Sequence, residues 1–329
     1  MFLETDFNKF GNILVTGAAG FVGCRLVQAL LARGLTPRCI VRSKQRFFRL
    51  FPEFPDKAAV EGDLLDPVSL DGAFEGVELA YYLIHSMDSQ SVFDTRRFVD
   101  RDRRAAENFV RAAEKEGVRR IVYLGGLGDV KDNLSRHLAS RQEVARILHS
   151  GKPDLTVFRA ANIIGAGGAP FEILRHLVER LPVLIAPRWI DTRCQPIDIR
   201  DAVNYLVGSI ETPETAGEDF DIGGPDITSY REMMEIYAKV RGLRRIIIPF
   251  PYLPPRISAI WTALLTPVPT GVVVPLLEGL KNEVICRENR IRDVLPFPLT
   301  PIDSSICNAL LEVRSGPGKL LSGRYCVLD

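Results

Sequence analysis

The segment NILVTGAAGFVG, residues 12–23, decides the fold of the first half of this chain. A short apolar strand leads into three glycines, Gly17, Gly20 and Gly23, and apolar residues then recur at helical spacing. Gly17 can adopt the positive φ of a tight turn, Gly20 allows close approach of a diphosphate, and Gly23 allows the helix to pack against the strand. The free N–H groups at the start of a helix attract phosphate oxygens. The segment therefore predicts a dinucleotide-binding turn, with contacts from Gly17, Ala19, Gly20, Phe21, Val22 and Gly23.

Short apolar runs alternate with helical runs as far as residue 162. The strands are predicted at PRCIVR, AAVEGD, ELAYYLIH, RRIVYLGG and DLTVFRA. Strands without polar alternation, separated by helices, are typical of a parallel sheet covered on both faces. We therefore predict a doubly wound α/β (Rossmann) fold. Residues 1–225 are expected to form this domain, with 165–195 on its substrate side, and residues 226–329 a mainly helical substrate lobe and C-terminal tail.

Composition excludes several function classes. Lys+Arg 42 against Asp+Glu 41 leaves a net charge of +1, which gives no electrostatic case for binding nucleic acid. The six cysteines are scattered, which argues against a disulfide framework and a metal site. The N-terminal residues do not resemble a signal peptide, and prolines interrupt the longest apolar stretch, Leu253–Leu280. We predict a cytoplasmic protein with a small-molecule substrate, no bound metal and no membrane span, and a homodimer is one open assembly.

The end of the second predicted strand bears on the choice of cofactor. An NAD-specific site would carry an acidic residue there for the ribose 2′-hydroxyl, whereas this chain has Arg42 and Ser43. A guanidinium binds a 2′-phosphate that a carboxylate would repel, so NADP(H) is preferred over NAD(H). A merely solvated Arg42 is the alternative. Asp63, with Leu64 beside it, follows the third strand and is placed either to contact the adenine amino group or to cap the next turn.

Several motifs resemble those of a known family. TGAAGFVG, GDLLD, FRAANIIGAG and FDIGGPDITSYREMM resemble the extended and atypical short-chain dehydrogenase/reductases, especially the NmrA-like and nucleoside-diphosphate-sugar epimerase-like NAD(P)H-binding branch. The resemblance implies a bound nicotinamide cofactor and a substrate part that follows the sixth strand. It also implies a Tyr-x-x-x-Lys pair, in which lysine lowers the tyrosine pKa for proton exchange with the substrate. This chain has His137 and Arg141 at those places, and Gly125 and Gly126 where the family has serine or threonine.

Six further residues are candidates near the nicotinamide. His137 and Arg141 lie one helical turn apart, so His137 is a candidate acid or base, with a pKa near neutrality, and Arg141 a candidate ligand of the nicotinamide ribose. Exposure of both on a charged helix is the alternative. Leu83, Ile84 and His85 end the fourth strand and are placed to line the cofactor. Asn162 follows the sixth strand and is placed to orient the substrate, although it could instead stabilise a turn.

The stretch PYLPPRISAIWTALLTPVPTGVVVPLLEGL, residues 251–280, is rich in aliphatic residues and contains Trp261. It predicts an apolar substrate pocket; ordinary lobe core is an alternative, and a membrane-facing or partner-facing patch is the least favoured because the short helices lack a basic face. The leading hypothesis is an NADP(H)-dependent oxidoreductase that acts on a small, rather apolar substrate. The alternatives are a cofactor-binding redox sensor or assembly subunit without turnover and, third, a nucleotide-sugar epimerase or dehydratase, which the missing Tyr-Lys pair disfavours most.

Overall fold

A parallel sheet forms the centre of the molecule. The computed structural model describes residues 12–84, 95–128, 135–250 and 262–315. The strands are β1 Ile13–Thr16, β2 Arg38–Val41, β3 Ala59–Glu61, β4 Leu79–Tyr82, β5 Arg120–Gly126, β6 Asp154–Ala160, β7 Ile163–Ile164, β8 Val183–Pro187, β9 Arg193–Cys194, β10 Ile197–Asp198, β11 Asp219–Ile222, β12 Thr228–Ser229 and β13 Ile246–Phe250. Seven of them form one sheet in the order β11-β6-β5-β4-β1-β2-β3, with every neighbouring pair parallel. The predicted Rossmann fold is confirmed.

Helices cover both faces of the sheet. They are α1 Phe21–Leu31, α2 Lys44–Leu50, α3 Thr95–Lys115, α4 Arg136–His149, α5 Ala169–Arg180, α6 Ile199–Gly208, α7 Tyr230–Val240, α8 Thr270–Gly279, α9 Ile291–Val294 and α10 Ile302–Ser315. Consecutive residues of β1 enter different cores: Val15 packs with Leu26 and Leu206, whereas Leu14 packs with Phe109 and other residues of the opposite face. Because both faces are buried, the central strands are mainly apolar, as the sequence pattern predicted.

A second core joins the sheet to the C-terminal part of the chain. Phe171 of α5, Met233 and Tyr237 of α7, and Ile306 of α10 are buried together. The Arg25 guanidinium of α1 also pairs with Glu312 of α10 and donates a 2.7 Å hydrogen bond to the Ala166 carbonyl. These contacts hold the C-terminal elements against the carboxyl edge of the sheet. The division at residue 225 follows β11, the last strand of the sheet, and stays a prediction.

The structure bears on three expectations drawn from composition, which concern membrane spans, metal sites and cysteine pairing. Across the described ranges, no helix is both long enough and apolar enough to cross a bilayer, and no cluster of three or more His, Cys, Asp or Glu side chains could hold a metal ion. Cys307 is disulfide-bonded, which the scattered cysteine spacing did not predict, whereas Cys24, Cys39, Cys194 and Cys286 are free thiols.

Candidate functional site

The glycine turn between β1 and α1 has no room for side chains. Gly17 has φ +69°, and a Cβ added there would lie 2.6 Å from the Leu83 carbonyl oxygen. A Cβ on Gly23 would lie 2.1 Å from the Gly17 carbonyl oxygen. Thr16 fixes the turn to the end of β4, because its hydroxyl donates to the Tyr81 carbonyl at 2.9 Å and accepts from the Leu83 amide at 3.2 Å. Any larger residue at Gly17 or Gly23 would push the turn away from the sheet.

The first turn of α1 presents unpaired backbone amides. Gly20 is the N-cap and supplies no side-chain cap, and the first intrahelical bond runs from the Cys24 amide to the Gly20 carbonyl at 3.0 Å. The amides of Phe21, Val22 and Gly23 precede that bond and have no helical acceptor. A bare helix N-terminus of this kind binds anions. The structure thus brings the six residues of the predicted turn, Gly17, Ala19, Gly20, Phe21, Val22 and Gly23, into one backbone cradle, and their contact with a diphosphate stays a prediction.

Phe21 has a second role through its side chain. Its ring lies against Gly165 and Gly168, where an added Cβ would be 3.1 Å and 2.8 Å from the ring. The Arg25 guanidinium lies over the same ring, 4.7 Å from its centroid. Phe21 therefore connects the phosphate-binding turn to the segment after β7, a contact that the sequence did not predict.

At the end of β2, Arg42 is exposed while its neighbours are engaged. Ser43 is the N-cap of α2 and accepts from the Arg46 amide at 3.3 Å, and the Lys44 ammonium pairs with Asp56 at 3.3 Å. Among the residues that the structure describes, the Arg42 side chain has no carboxylate partner. The predicted 2′-phosphate contact therefore depends on Arg42, because the Ser43 hydroxyl already caps a helix.

Asp63 closes a turn. One of its carboxylate oxygens accepts from the Leu65 amide at 2.9 Å, and its own amide donates to the Ser69 hydroxyl at 2.9 Å. Leu64 is buried, and its carbonyl accepts from the Asn108 side-chain amide at 2.7 Å. The capping alternative is what the Asp63 side chain does here, and the adenine contact stays a prediction.

Arg141 lies in a buried network behind the cofactor edge. Its guanidinium pairs with Asp102 and donates to the Ile84 carbonyl at 3.2 Å. Asp102 also accepts a hydrogen bond from the Ser140 hydroxyl at 2.9 Å. Burial by itself would lower the pKa of Arg141, but Tyr123 and Asp102 raise it, so the group stays charged. Arg141 is thus buried and not exposed, and its guanidinium holds the Ile84 backbone. Direct contact with a ribose stays a prediction.

Close packing at the end of β5 explains the glycines at positions 125 and 126, Gly125 and Gly126. A Cβ on Gly125 would lie 2.9 Å from the Tyr123 ring, and one on Gly126 would lie 3.3 Å from the Cγ atom of Arg141. A side chain at Gly125 would require the Tyr123 ring to shift, and one at Gly126 would be tightly packed against Leu138 and Arg141.

His137 does not titrate near neutrality. Burial, and after it the charge of Arg141, lower the pKa of His137 to about 3. The ring stacks on Phe98 with centroids 6.4 Å apart and lines a cavity described below. The assumption of a near-neutral pKa was wrong because the sequence could not reveal this burial. The imidazole is uncharged at pH 7, and its predicted catalytic role stays a prediction. His85 lies outside the described residues.

Asn162 and Tyr230 form a polar pair that the sequence analysis missed in part. The Asn162 side-chain amide donates to the Tyr230 phenol oxygen, and both residues line the cavity. Burial raises the pKa of Tyr230 well above its usual value, so the phenol stays protonated. Tyr230 opens α7, where Ser229 and Glu232 form a capping box. The motif SYRE is a recognisable helix start and could have located Tyr230 at the carboxyl edge of the sheet.

A cavity of about 590 Å³ lies beyond the carboxyl ends of β5 and β6. Its polar side chains are those of His137, Asn162, Tyr230 and Thr262, and no Arg, Lys, Asp or Glu of the described residues lines it. Leu265, Leu276, Leu277 and Leu280 come from the predicted apolar stretch, of which residues 251–261, including Trp261, lie outside the described residues. The remaining walls come from the segment 165–195, mainly Ile173, Leu174, Leu177, Val183, Leu184, Ile185 and Trp189. This position is the usual ligand site of doubly wound sheets.

Comparison with known proteins supports a nicotinamide-cofactor site at the glycine turn. A family model described as NAD(P)H-binding matches residues 17–175. A ceramide reductase from Caulobacter vibrioides is 28% identical over 244 residues, which cover 73% of this chain and 74% of that protein. Subunit 9 of the mitochondrial NADH dehydrogenase [ubiquinone] 1 alpha subcomplex from Arabidopsis thaliana is 25% identical over 246 residues, covering 72% of this chain and 60% of that protein.

A solved structure shares the fold. A short-chain dehydrogenase/reductase superfamily protein from Agrobacterium tumefaciens, with bound NAD, superposes with a TM-score of 0.67 at 19% identity and covers 92% of this chain and 97% of that one. The cradle at Gly17–Gly23 and the match over residues 17–175 agree on the ligand class. Residues 17–175 are therefore similar to an NAD(P)H-binding family, and the chain shares the fold of that solved short-chain dehydrogenase/reductase superfamily protein.

Proposed function

We propose that the protein is an NADP(H)-dependent oxidoreductase that transfers a hydride between the nicotinamide and an apolar carbonyl or alcohol substrate. The observation that carries this proposal is the apolar cavity of about 590 Å³ at the carboxyl edge of the sheet. Its volume lies within the range of small-molecule sites, and its polar groups are few. A mostly apolar site with a few polar groups suits a substrate with one reacting oxygen on an apolar chain.

The residues of the first βαβ unit would hold the cofactor. Backbone amides of Phe21, Val22 and Gly23 would bind the diphosphate, and Arg42 the 2′-phosphate. Leu83 and Ile84, fixed by Thr16 and Arg141, would line the path towards the cavity. When bound, the nicotinamide supplies or accepts the hydride. The preference for NADP(H) rests on Arg42 and is part of the proposal.

Tyr230 is proposed to bind the substrate oxygen. Because Asn162 donates to the phenol oxygen, the phenol hydrogen is directed away from Asn162 and available to an acceptor in the cavity. The raised pKa keeps the phenol protonated, so it acts as a hydrogen-bond donor to a carbonyl or a developing alkoxide. His137, uncharged at pH 7, would offer a second neutral polar contact or hold a water molecule that exchanges the proton.

The lining of the cavity favours a lipid-like substrate. A nucleotide sugar carries two phosphates that need cationic partners, and the described lining has none. The relative from Caulobacter is a ceramide reductase, and a substrate with long apolar chains fits a cavity with these walls. We therefore place the nucleotide-sugar reaction last. A cytoplasmic location is also proposed; the four free thiols agree with it, whereas the disulfide-bonded Cys307 does not support it.

Turnover of NADPH with a series of ketones of increasing chain length tests the proposal. We expect kcat/KM to rise with chain length until the cavity is filled. Tyr230→Phe keeps the ring and removes the hydroxyl, and it should lower kcat about 10²-fold, the usual effect of losing one such donor. Tyr237→Phe is the matched control, because that hydroxyl bonds Glu179 at 2.9 Å and does not line the cavity. Equal rates for Tyr230→Phe and wild type would reject the role of Tyr230.

A second candidate is a cofactor-binding protein without turnover. It is favoured by the substitution of the Tyr-Lys pair, since Arg141 is tied to Asp102 and Ile84 instead of facing the cavity. The plant relative is a subunit of a larger complex. Tight NADPH binding together with no turnover of any ketone in the series would support this candidate over the oxidoreductase.

A further inference from the structure

The small sheet that walls the cavity has an apolar outer face. β8 and β13 pair in parallel, with Val183 opposite Ile246 and Ile185 opposite Ile248. These residues point to one side, whereas Leu184 and Ala186 are buried on the other. A sheet that covers a core on one face normally carries polar residues on its outer face. Here the exposed fractions are 43% for Val183, 62% for Ile185, 61% for Ile246, 45% for Ile248 and 46% for Phe250.

This face, residues Val183, Ile185, Ile246, Ile248 and Phe250, is called the outer face below. It is continuous with the cavity, because Val183 and Ile185 also line the cavity wall. Leu264, 70% exposed, adjoins Leu265, which lines the cavity and whose carbonyl accepts from Arg180 at 2.6 Å. An apolar molecule could therefore pass between this surface and the cavity along aliphatic side chains. Contiguous exposed apolar residues of this kind mark interaction sites.

The flanks of the outer face are basic. Residues 178–193 and 241–250 contain six arginines and two acidic residues, a net charge of +4. Both acids are engaged: Glu179 accepts from Arg241 at 2.7 Å, and Asp191 pairs with Arg231 at 2.5 Å. The exposed Arg188 and Arg244 have no carboxylate partner within the described part of the chain. An apolar face on segments that carry a net positive charge matches the interface of a bilayer that contains anionic lipids.

We propose that the outer face docks on an anionic lipid surface, from which the apolar substrate reaches the cavity. The docking goes beyond the proposed function and does not require turnover. The sequence disfavoured a membrane-facing patch because the short helices have no basic face. The surface is instead built by two strands from distant parts of the chain, whose pairing the sequence pattern did not reveal.

Co-sedimentation with lipid vesicles tests the proposal. We expect the full chain to bind vesicles of phosphatidylcholine with one quarter phosphatidylglycerol more strongly than vesicles of phosphatidylcholine alone. The double variant Ile185→Ser with Ile248→Ser should weaken partition into the anionic vesicles about tenfold or more. The control is Leu50→Ser with Val68→Ser, which changes exposed aliphatic residues, 42% and 76% exposed, on the cofactor side of the molecule. Unchanged melting temperature and NADPH affinity would verify that both variants fold.

The charge contribution has its own variant. Arg188→Gln with Arg244→Gln should weaken binding to the anionic vesicles and leave the small affinity for neutral vesicles unchanged. The proposal is overturned if the wild type binds neither vesicle, or if the Ile185→Ser, Ile248→Ser variant binds as the wild type does. A dimer that this variant converts to a monomer, with no vesicle binding by the wild type, would assign the outer face to a second copy instead. Vesicle binding without ketone turnover would reject the proposed function and leave the docking intact.

Discussion

Replacing Arg42 by glutamine should separate the two nicotinamide cofactors. Arg42 is exposed after β2, whereas Ser43 caps α2 and Lys44 pairs with Asp56. The guanidinium is therefore the group of this loop that is available to a 2′-phosphate. A hydrogen bond to a charged group contributes about 1.5–3 kcal/mol, or about 10- to 150-fold in affinity. Solvent screening at an exposed site places the expected loss of NADPH affinity near the lower limit, about tenfold.

The assay is a pair of fluorescence titrations, with NADPH and with NADH, on each protein. Arg42→Gln should lower NADPH affinity and leave NADH affinity within about twofold, and added salt should reduce the difference between wild type and variant. Arg49→Gln is the matched control, since Arg49 is an exposed arginine in the last turn of α2. Equal losses for both cofactors, or no loss for either, would refute the assignment of Arg42 to the 2′-phosphate.

Three further predictions concern the site and its support. Gly23→Ala should abolish NADPH binding, because its Cβ would lie 2.1 Å from the Gly17 carbonyl oxygen; Gly34→Ala, where only the φ of +75° opposes a side chain, should retain binding at a cost of about 1 kcal/mol in unfolding free energy. Asp102→Asn leaves the buried Arg141 charge without its partner and should lower the free energy of unfolding, measured in urea, by about 3–5 kcal/mol. The double variant with Arg141→Met should recover much of that loss. If the losses of the two single variants simply add in the double variant, the pairing is contradicted. The pKa of His137 is about 3 in the folded protein and about 6.5 in the unfolded chain, so only the unfolded chain binds a proton between these values. Stability should therefore fall as the pH drops from about 6.5 to about 3, and His137→Gln should flatten that dependence. An unchanged pH profile in the variant would show that the imidazole is not buried as described.

The sequence predicted the parts of the molecule that depend on local pattern. The glycine spacing at Gly17–Gly23 and the apolar strands placed the phosphate-binding turn and the parallel sheet, because backbone geometry and two-sided burial impose those patterns directly. The apolar stretch before Leu280 likewise indicated an apolar pocket, to which its described leucines do contribute walls.

What the sequence could not predict depends on contacts between distant residues. His137 stacks on Phe98 and Arg141 pairs with Asp102, and both partners lie in a different helix. Burial and the Arg141 charge, which the sequence did not reveal, lower the pKa of His137. Tyr230 meets Asn162 across 68 positions of the chain. The outer face arises only when β8 and β13 pair, so no window of sequence shows it.

Transfer of deuterium from NADPH labelled at C4 of the nicotinamide tests the central claim most directly. The label is followed by mass spectrometry of the product after incubation with a long-chain ketone. We expect one deuterium at the carbinol carbon of the product, with transfer strongly reduced in Tyr230→Phe. Tight binding of labelled NADPH without any labelled product, across the whole chain-length series, would contradict hydride transfer in the cavity.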